Sequence, residues 1–156
     1  MGTAKHLLIV YHTGSGHTEM MAEAVINGAQ DKTIEGVDVV TKMAIETTPE
    51  DVRQADGIIL GTPENFGYMS GAMKFFFDTI YYPCLDHTQG LPYGLFIRAG
   101  HDGQGALSSI TRIITGLGWR QVCEPIIFTG DFDDRRLIEC TELGMSLAVG
   151  LETGVF

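Results

Sequence analysis

The apolar residues of this chain fall in short unbroken runs, such as Leu7-Leu8-Ile9-Val10 and Ile58-Ile59-Leu60, separated by segments of helical periodicity. A strand with one wet face alternates apolar and polar residues. An unbroken run is buried on both faces, which calls for a parallel sheet between helical layers. The pattern predicts strands over residues 6–11, 37–43, 57–61, 93–98 and 121–128. It predicts helices over residues 18–30, 49–54, 70–82, 103–116 and 134–151. Strict alternation of this kind implies an α/β fold, a three-layer doubly wound five-stranded parallel sheet. The order 2-1-3-4-5 is the common five-stranded choice, with its switch point between the first and third strands. A length of 156 residues suits one domain over residues 1–156, large enough to bury a core without staples.

Charge and cysteine content narrow the function. A net charge of −10 disfavours nucleic acid and anionic membrane as partners, because both need clustered Lys and Arg. Cys84, Cys123 and Cys140 are widely spaced and form no C-x-x-C pair, so they read as reduced thiols of a cytoplasmic protein. No apolar run reaches the length of a membrane span, and the run after Lys5 reads as a core strand rather than a leader. No metal-ligand spacing and no Ser-His-Asp arrangement is present, so no metal and no catalytic side chain is assigned. Strand ends at Tyr11-His12 and Thr62-Pro63 lack the acids of a response regulator.

A ligand should sit beyond the C-terminal ends of the strands at the switch point, and the two most unusual loops lie there. The first, Val10-Tyr11-His12-Thr13-Gly14-Ser15-Gly16-His17-Thr18, joins the first strand to a helix. Free N–H groups and the helix dipole make such a junction an anion site. Thr13, Ser15 and Thr18 add hydroxyl donors, and the loop holds no Lys or Arg, so it suits a phosphate held by neutral groups. Gly14-Ser15-Gly16 lacks the third glycine of a dinucleotide fingerprint, and no Lys follows as a P-loop needs. A plain turn with Thr18 as helix cap is the simpler reading of the same residues.

Thr13-Gly14-Ser15-Gly16-His17-Thr18 matches [ST]-x-[ST]-G-x-[ST], and here the chain resembles the phosphate loop of flavodoxin-like FMN proteins. The second loop carries the resemblance further. Thr62-Pro63-Glu64-Asn65-Phe66-Gly67, followed by Met73-Lys74, Phe76 and Asp78, is similar to the flavin-ring loop of WrbA-type NAD(P)H:quinone oxidoreductases and of NAD(P)H-dependent FMN reductases. The chain lacks the long WrbA insertions and so resembles a short form. The resemblance implies a flavodoxin-like fold with FMN bound noncovalently. It implies that Thr13, Gly14, Ser15, Gly16, His17 and Thr18 hold the phosphate, and that Pro63, Glu64, Asn65, Phe66 and Gly67 border the ring. After the fourth strand, Ala99, Gly100, His101, Asp102 and Gly103 take the positions that contact the ring and its pyrimidine edge. Gln104 resembles a family helix start, with Gly105 where an acid is common.

On this reading the chain is an oxidoreductase that carries reducing equivalents from NAD(P)H to a quinone, a flavin or a similar small-molecule acceptor. The alternative is a flavodoxin-type electron carrier that serves a redox protein and has no substrate of its own. The acidic balance favours the carrier and a low flavin potential. The missing third-loop aromatic and the Phe66-Gly67 pattern oppose the carrier. Lys74, Arg98 and Arg112 are the candidates for the extra phosphate of NADPH. In the third helix, Met73, Phe76, Phe77 and Ile80 form a core face, while Ala72, Phe75 and Tyr82 leave a surplus apolar side that suits a homodimer.

Overall fold

The computed structural model describes residues 3–14 and 16–156. Its elements alternate as the sequence predicts: β1 (Lys5–Tyr11), α1 (Gly16–Ala29), β2 (Val37–Met43), α2 (Pro49–Arg53), β3 (Gly57–Asn65), β4 (Tyr68–Met69), α3 (Gly71–Cys84), β5 (Pro92–Ala99), α4 (Gln104–Leu117), β6 (Arg120–Gln121), β7 (Ile126–Thr129) and α5 (Leu137–Thr153). The sheet runs β2-β1-β3-β5-β6. β7 extends the last position by pairing with β5, and β4 folds back on β3. All pairings along this path are parallel, and only β3 with β4 is antiparallel. Merging β6 and β7 into one interrupted strand gives the predicted order.

The unbroken apolar runs split their side chains between two cores. Leu8, Val10, Ile58 and Leu60 face α3 and α4, where Met73, Phe76, Phe77, Ile80, Ile110 and Ile114 meet them. Leu7, Ile9 and Ile59 face α1 and α5, against Met21, Val25, Leu143 and Leu147. Burial of each such side chain is worth about 1.5–3 kcal/mol, which explains why both faces are apolar. α1 and α5 cross closely because Gly28 and Gly144 carry no Cβ. A Cβ on either would collide with the backbone of the other helix.

Three of the differences from the sequence reading have a local reason. β3 runs past Gly61 to Asn65. β1 has ended at the Gly61 position, so the missing N–H of Pro63 breaks no ladder on that side. The predicted strand over 121–128 splits in two around Pro125, which cannot donate to a ladder. The closing helix opens with a 3₁₀ turn at Asp134–Arg136, capped by Asp133, whose carboxylate accepts from the Arg135 N–H at 2.9 Å. Among the described residues no helix is long and apolar enough to cross a membrane. On α3, Phe75 and Tyr82 remain exposed, which is the surplus apolar side seen in the sequence.

Candidate functional site

The loops after β1, β3 and β5 meet at the C-terminal edge of the sheet. The His12 N–H donates to the Gly61 carbonyl at 3.0 Å, and Gly14 lies against the Pro63 ring. A Glu64 carboxylate oxygen accepts from the Ala106 N–H at 3.0 Å. Gly105 packs on the Gly67 carbonyl so tightly that a Cβ there would collide with it. Thr13, Gly14, Gly16, His17, Thr18, Pro63, Glu64, Asn65, Phe66, Gly67, Ala99, Gly100, His101, Asp102 and Gly103 therefore lie on the three loops of one sheet edge. Ser15 lies outside the described residues.

In the first loop the helix begins at Gly16, not at Thr18, so Thr18 sits inside the first turn rather than capping it. The first-turn N–H groups have no intrahelical partner. The Thr18 side chain is fully buried, and its Oγ1 has no hydrogen-bond partner among the described residues. Among the described residues His12 Nδ1 is the other buried side-chain polar atom in that state. Orphaned buried polar atoms are rare in native folds and cost about 1–3 kcal/mol each. Two such atoms flank one helix start of the kind that binds anions. Thr13 has turned elsewhere, its hydroxyl donating to Glu19 at a long 3.5 Å.

His17 is exposed at the loop but held. Its ring stacks on Phe132 at 4.2 Å and 7°. Phe132 in turn stacks on Phe128 at 4.6 Å and 12°. Arg98 lies over both phenyl rings and donates to the carbonyls of Phe128 and Gly130 at 3.1 and 2.7 Å. Arg98 is thus a brace for the β7 loop, and its fork is spent on two carbonyls. The sequence offered no sign of this ladder: Phe132 stands among Asp131, Asp133 and Asp134, a run that reads as a wet turn.

The second loop is a hairpin. Asn65 pairs with Tyr68 and Glu64 with Met69. Phe66 and Gly67 form its tip with φ of 53° and 68°. Positive φ at both central residues is the type I′ pattern, which favours Asn-Gly. A Phe in that position costs about 1–2 kcal/mol. Phe66 is also fully exposed and Tyr68 is exposed at 41%. Neither ring is packed down as core. Below the tip, Thr62 is buried; its hydroxyl accepts from the Ser70 N–H at 3.1 Å and donates to the Pro63 carbonyl at 2.8 Å. Ser70 caps α3 by accepting from the Met73 N–H at 3.2 Å. The strained tip therefore stands on a rigid base.

In the third loop, Gly103 has φ of 71° and packs on Ile127, where a Cβ would not fit. The Asp102 carboxylate accepts from the Gln104 N–H at 3.0 Å. Gly100 and His101 are exposed, with their groups free to face a ligand. Glu64 uses its carboxylate to cap α4, so its side chain serves the scaffold while its backbone stays at the site edge.

Comparison with known proteins agrees with this geometry. Residues 12–131 match the family described as NADPH-dependent FMN reductase. A flavodoxin of Aquifex aeolicus (strain VF5) is 45% identical over 74 residues, which is 47% of this chain and 39% of that protein. The chain therefore spans well under half the length of this curated relative. A flavodoxin from the domain Archaea superposes with a TM-score of 0.79 at 26% identity, covering 92% of this chain and 96% of that one. A flavodoxin, WrbA-like protein from Agrobacterium tumefaciens gives 0.75 at 23% identity, covering 94% and 96%.

Proposed function

Since the chain belongs to the NADPH-dependent FMN reductase family, we propose that it holds FMN at the three-loop edge and passes reducing equivalents from NAD(P)H to a quinone, a flavin or a similar small-molecule acceptor. The observation that carries this reading is the buried Thr18 Oγ1 in the first turn of α1, which has no hydrogen-bond partner among the described residues. A phosphate ester there accepts that hydroxyl and the free N–H groups together, and the helix dipole favours its charge. The residues present fit the group. The three loops offer backbone N–H groups, hydroxyls and an exposed phenyl ring, the mixture that a phosphorylated planar ligand needs. When bound, the flavin supplies the electron chemistry.

The chain's own share is binding, orientation and tuning. Thr13, Gly14, Ser15, Gly16, His17 and Thr18 hold the phosphate, with His17 fixed by Phe132. Pro63, Glu64, Asn65, Phe66 and Gly67 would border the ring, Phe66 offering an exposed aromatic face and Gly67 its backbone. Ala99, Gly100, His101, Asp102 and Gly103 close the pyrimidine edge with backbone donors. No side chain is required as a general acid or base. The surplus of acids in a chain of net charge −10 opposes adding electrons and holds the potential low.

An anaerobic titration of the FMN-loaded protein with NADPH and with NADH tests the reading. Bleaching in one two-electron stage, followed by reoxidation by an added quinone or flavin, is the expected result. Tight FMN binding with no bleaching by either nucleotide would assign the chain as an electron carrier, the reading favoured by its likeness to flavodoxins. Failure to bind FMN would overturn both.

A further inference from the structure

The sequence leaves three cations as candidates for the extra phosphate of NADPH, and the structure sorts them. Arg98 is committed to two carbonyls. Lys74 and Arg112 line one cleft of about 520 Å³ between α3 and α4, which begins at the hairpin tip with Gly67 and Tyr68. A second hollow of about 230 Å³ shares Lys74 and Ile113 with it and runs on to Tyr81 and Tyr82. The two form a groove with cations at the end nearer the candidate flavin site and aromatic rings at the other, the Asp78 carboxylate lining it beside Lys74.

Basic side chains are in the minority here. The chain has 10 Lys and Arg against 20 Asp and Glu. Lys42, Arg53, Arg135 and Arg136 are each tied to a carboxylate. Arg112 has no hydrogen-bond or ion-pair partner among the described residues. Lys74 pairs only with the exposed Asp78, one helical turn away at 2.7 Å. Exposed pairs of this kind are weak and readily exchange partners. Ser108 adds a hydroxyl whose one hydrogen bond, to the Gly105 carbonyl, is long at 3.4 Å. A guanidinium fork, an ammonium and a loosely held hydroxyl are a phosphate donor set. At the far end Tyr82 is 81% exposed and stands edge-on to Tyr81, presenting a face on which a base can stack.

We propose that this α3–α4 groove binds the adenosine 2′-phosphate end of a phosphorylated nicotinamide dinucleotide, its phosphate between Lys74 and Arg112 and its adenine on Tyr82. The proposal rests on the reductase reading above, because a hydride donor must put its nicotinamide at the hairpin tip and lay its other end on adjoining surface. Arg112 is then the residue that selects NADPH over NADH.

The test uses the FMN-loaded protein and the variants Arg112→Glu and Arg112→Lys. Calorimetry compares 2′,5′-ADP with 5′-AMP, which needs no turnover, and anaerobic stopped flow compares kcat/KM for NADPH and NADH. The wild type is expected to bind 2′,5′-ADP about tenfold or more tighter than 5′-AMP. Arg112→Glu should abolish that preference and lower the NADPH/NADH ratio by about tenfold to a hundredfold, with Arg112→Lys in between. Lys32→Glu, the same charge change after α1 on the opposite face of the sheet, should move neither quantity. Bleaching by both nucleotides with an unchanged ratio in Arg112→Glu would overturn the subsite and leave the reductase reading standing. An FMN-loaded wild type that neither nucleotide bleaches would overturn both.

Discussion

Thr18→Val separates a ligand-seeking hydroxyl from a structural one, because the two roles predict opposite signs. Valine has the shape of threonine and the same branching at Cβ, so the substitution opens no cavity and keeps the helical turn. In the free protein the Thr18 Oγ1 is fully buried and has no hydrogen-bond partner among the described residues. Replacing it with a methyl group removes an unpaid desolvation cost of about 1–3 kcal/mol. For a chain of 156 residues each kcal/mol moves Tm by roughly 2–4 °C, so the FMN-free variant should melt higher than the wild type. In the complex the same atom donates to an ionised phosphate, a bond worth about 1.5–3 kcal/mol, so FMN affinity should fall about tenfold to a hundredfold. Riboflavin lacks the phosphate, and its affinity should not change. Thermal melts of the FMN-free protein and quenching of flavin fluorescence on titration give all three numbers. A variant that melts lower and keeps the wild-type ratio of FMN to riboflavin affinity would refute the reasoning and return Thr18 to the role of a helix residue.

Three further outcomes follow from other parts of the molecule. Phe66→Asn places the favoured residue at a type I′ position, so the FMN-free protein should gain about 1 kcal/mol by urea unfolding, while flavin affinity falls with the loss of the ring contact. Phe132→Ala frees His17 from a stack worth about 0.5–1.5 kcal/mol, and FMN affinity should fall several-fold with riboflavin unaffected in the same titration. The buried Cys140 thiol is pushed up to about 12, first by burial and then by the neighbouring Glu139 carboxylate. The folded thiol keeps its proton where the unfolded one, near 9.0, loses it. Stability should therefore fall as pH rises from about 9 towards 12, and Cys140→Ala should flatten that slope in urea midpoints measured across the range.

The layers of this fold were legible because burial on both faces leaves a signal in consecutive residues. Leu7 to Val10 and Ile58 to Leu60 need no partner to be recognised, and the strand order followed from the number of strand–helix units. The extent of β3 was hidden for the opposite reason. Pro63 reads as a strand breaker, and only the end of β1 beside Gly61 makes it harmless. The phosphate-type loop and the Phe66-Gly67 tip were visible as unusual local sequence. The Phe128–Phe132–His17 ladder was not, because it joins residues from opposite ends of the chain and its middle ring stands in an acidic run.

The link between Glu64 and Gly105 shows why residue-by-residue reading of such a site stops short. At position 105 the sequence offers a glycine where a family acid is common, which looks like the loss of a helix-start carboxylate. In the structure a carboxylate reaches the first turn from the hairpin instead, Glu64 accepting from the Ala106 N–H, while Asp102 accepts from the Gln104 N–H and Gly103, the residue before α4, has no side chain to cap it. The glycine is what permits this, since a side chain at 105 would drive into the Gly67 carbonyl and push the hairpin away. Charge near a helix start is worth about 0.3–1 kcal/mol whichever element provides it. Moving the acid from the helix to the hairpin keeps that stabilisation and adds a coupling: the second and third loops can no longer shift independently. The strain of Phe66 at the tip is tolerable only on such a fixed base. The hairpin backbone that carries Phe66 is thereby fixed relative to the third loop, the preorganisation that the proposed planar ligand would require.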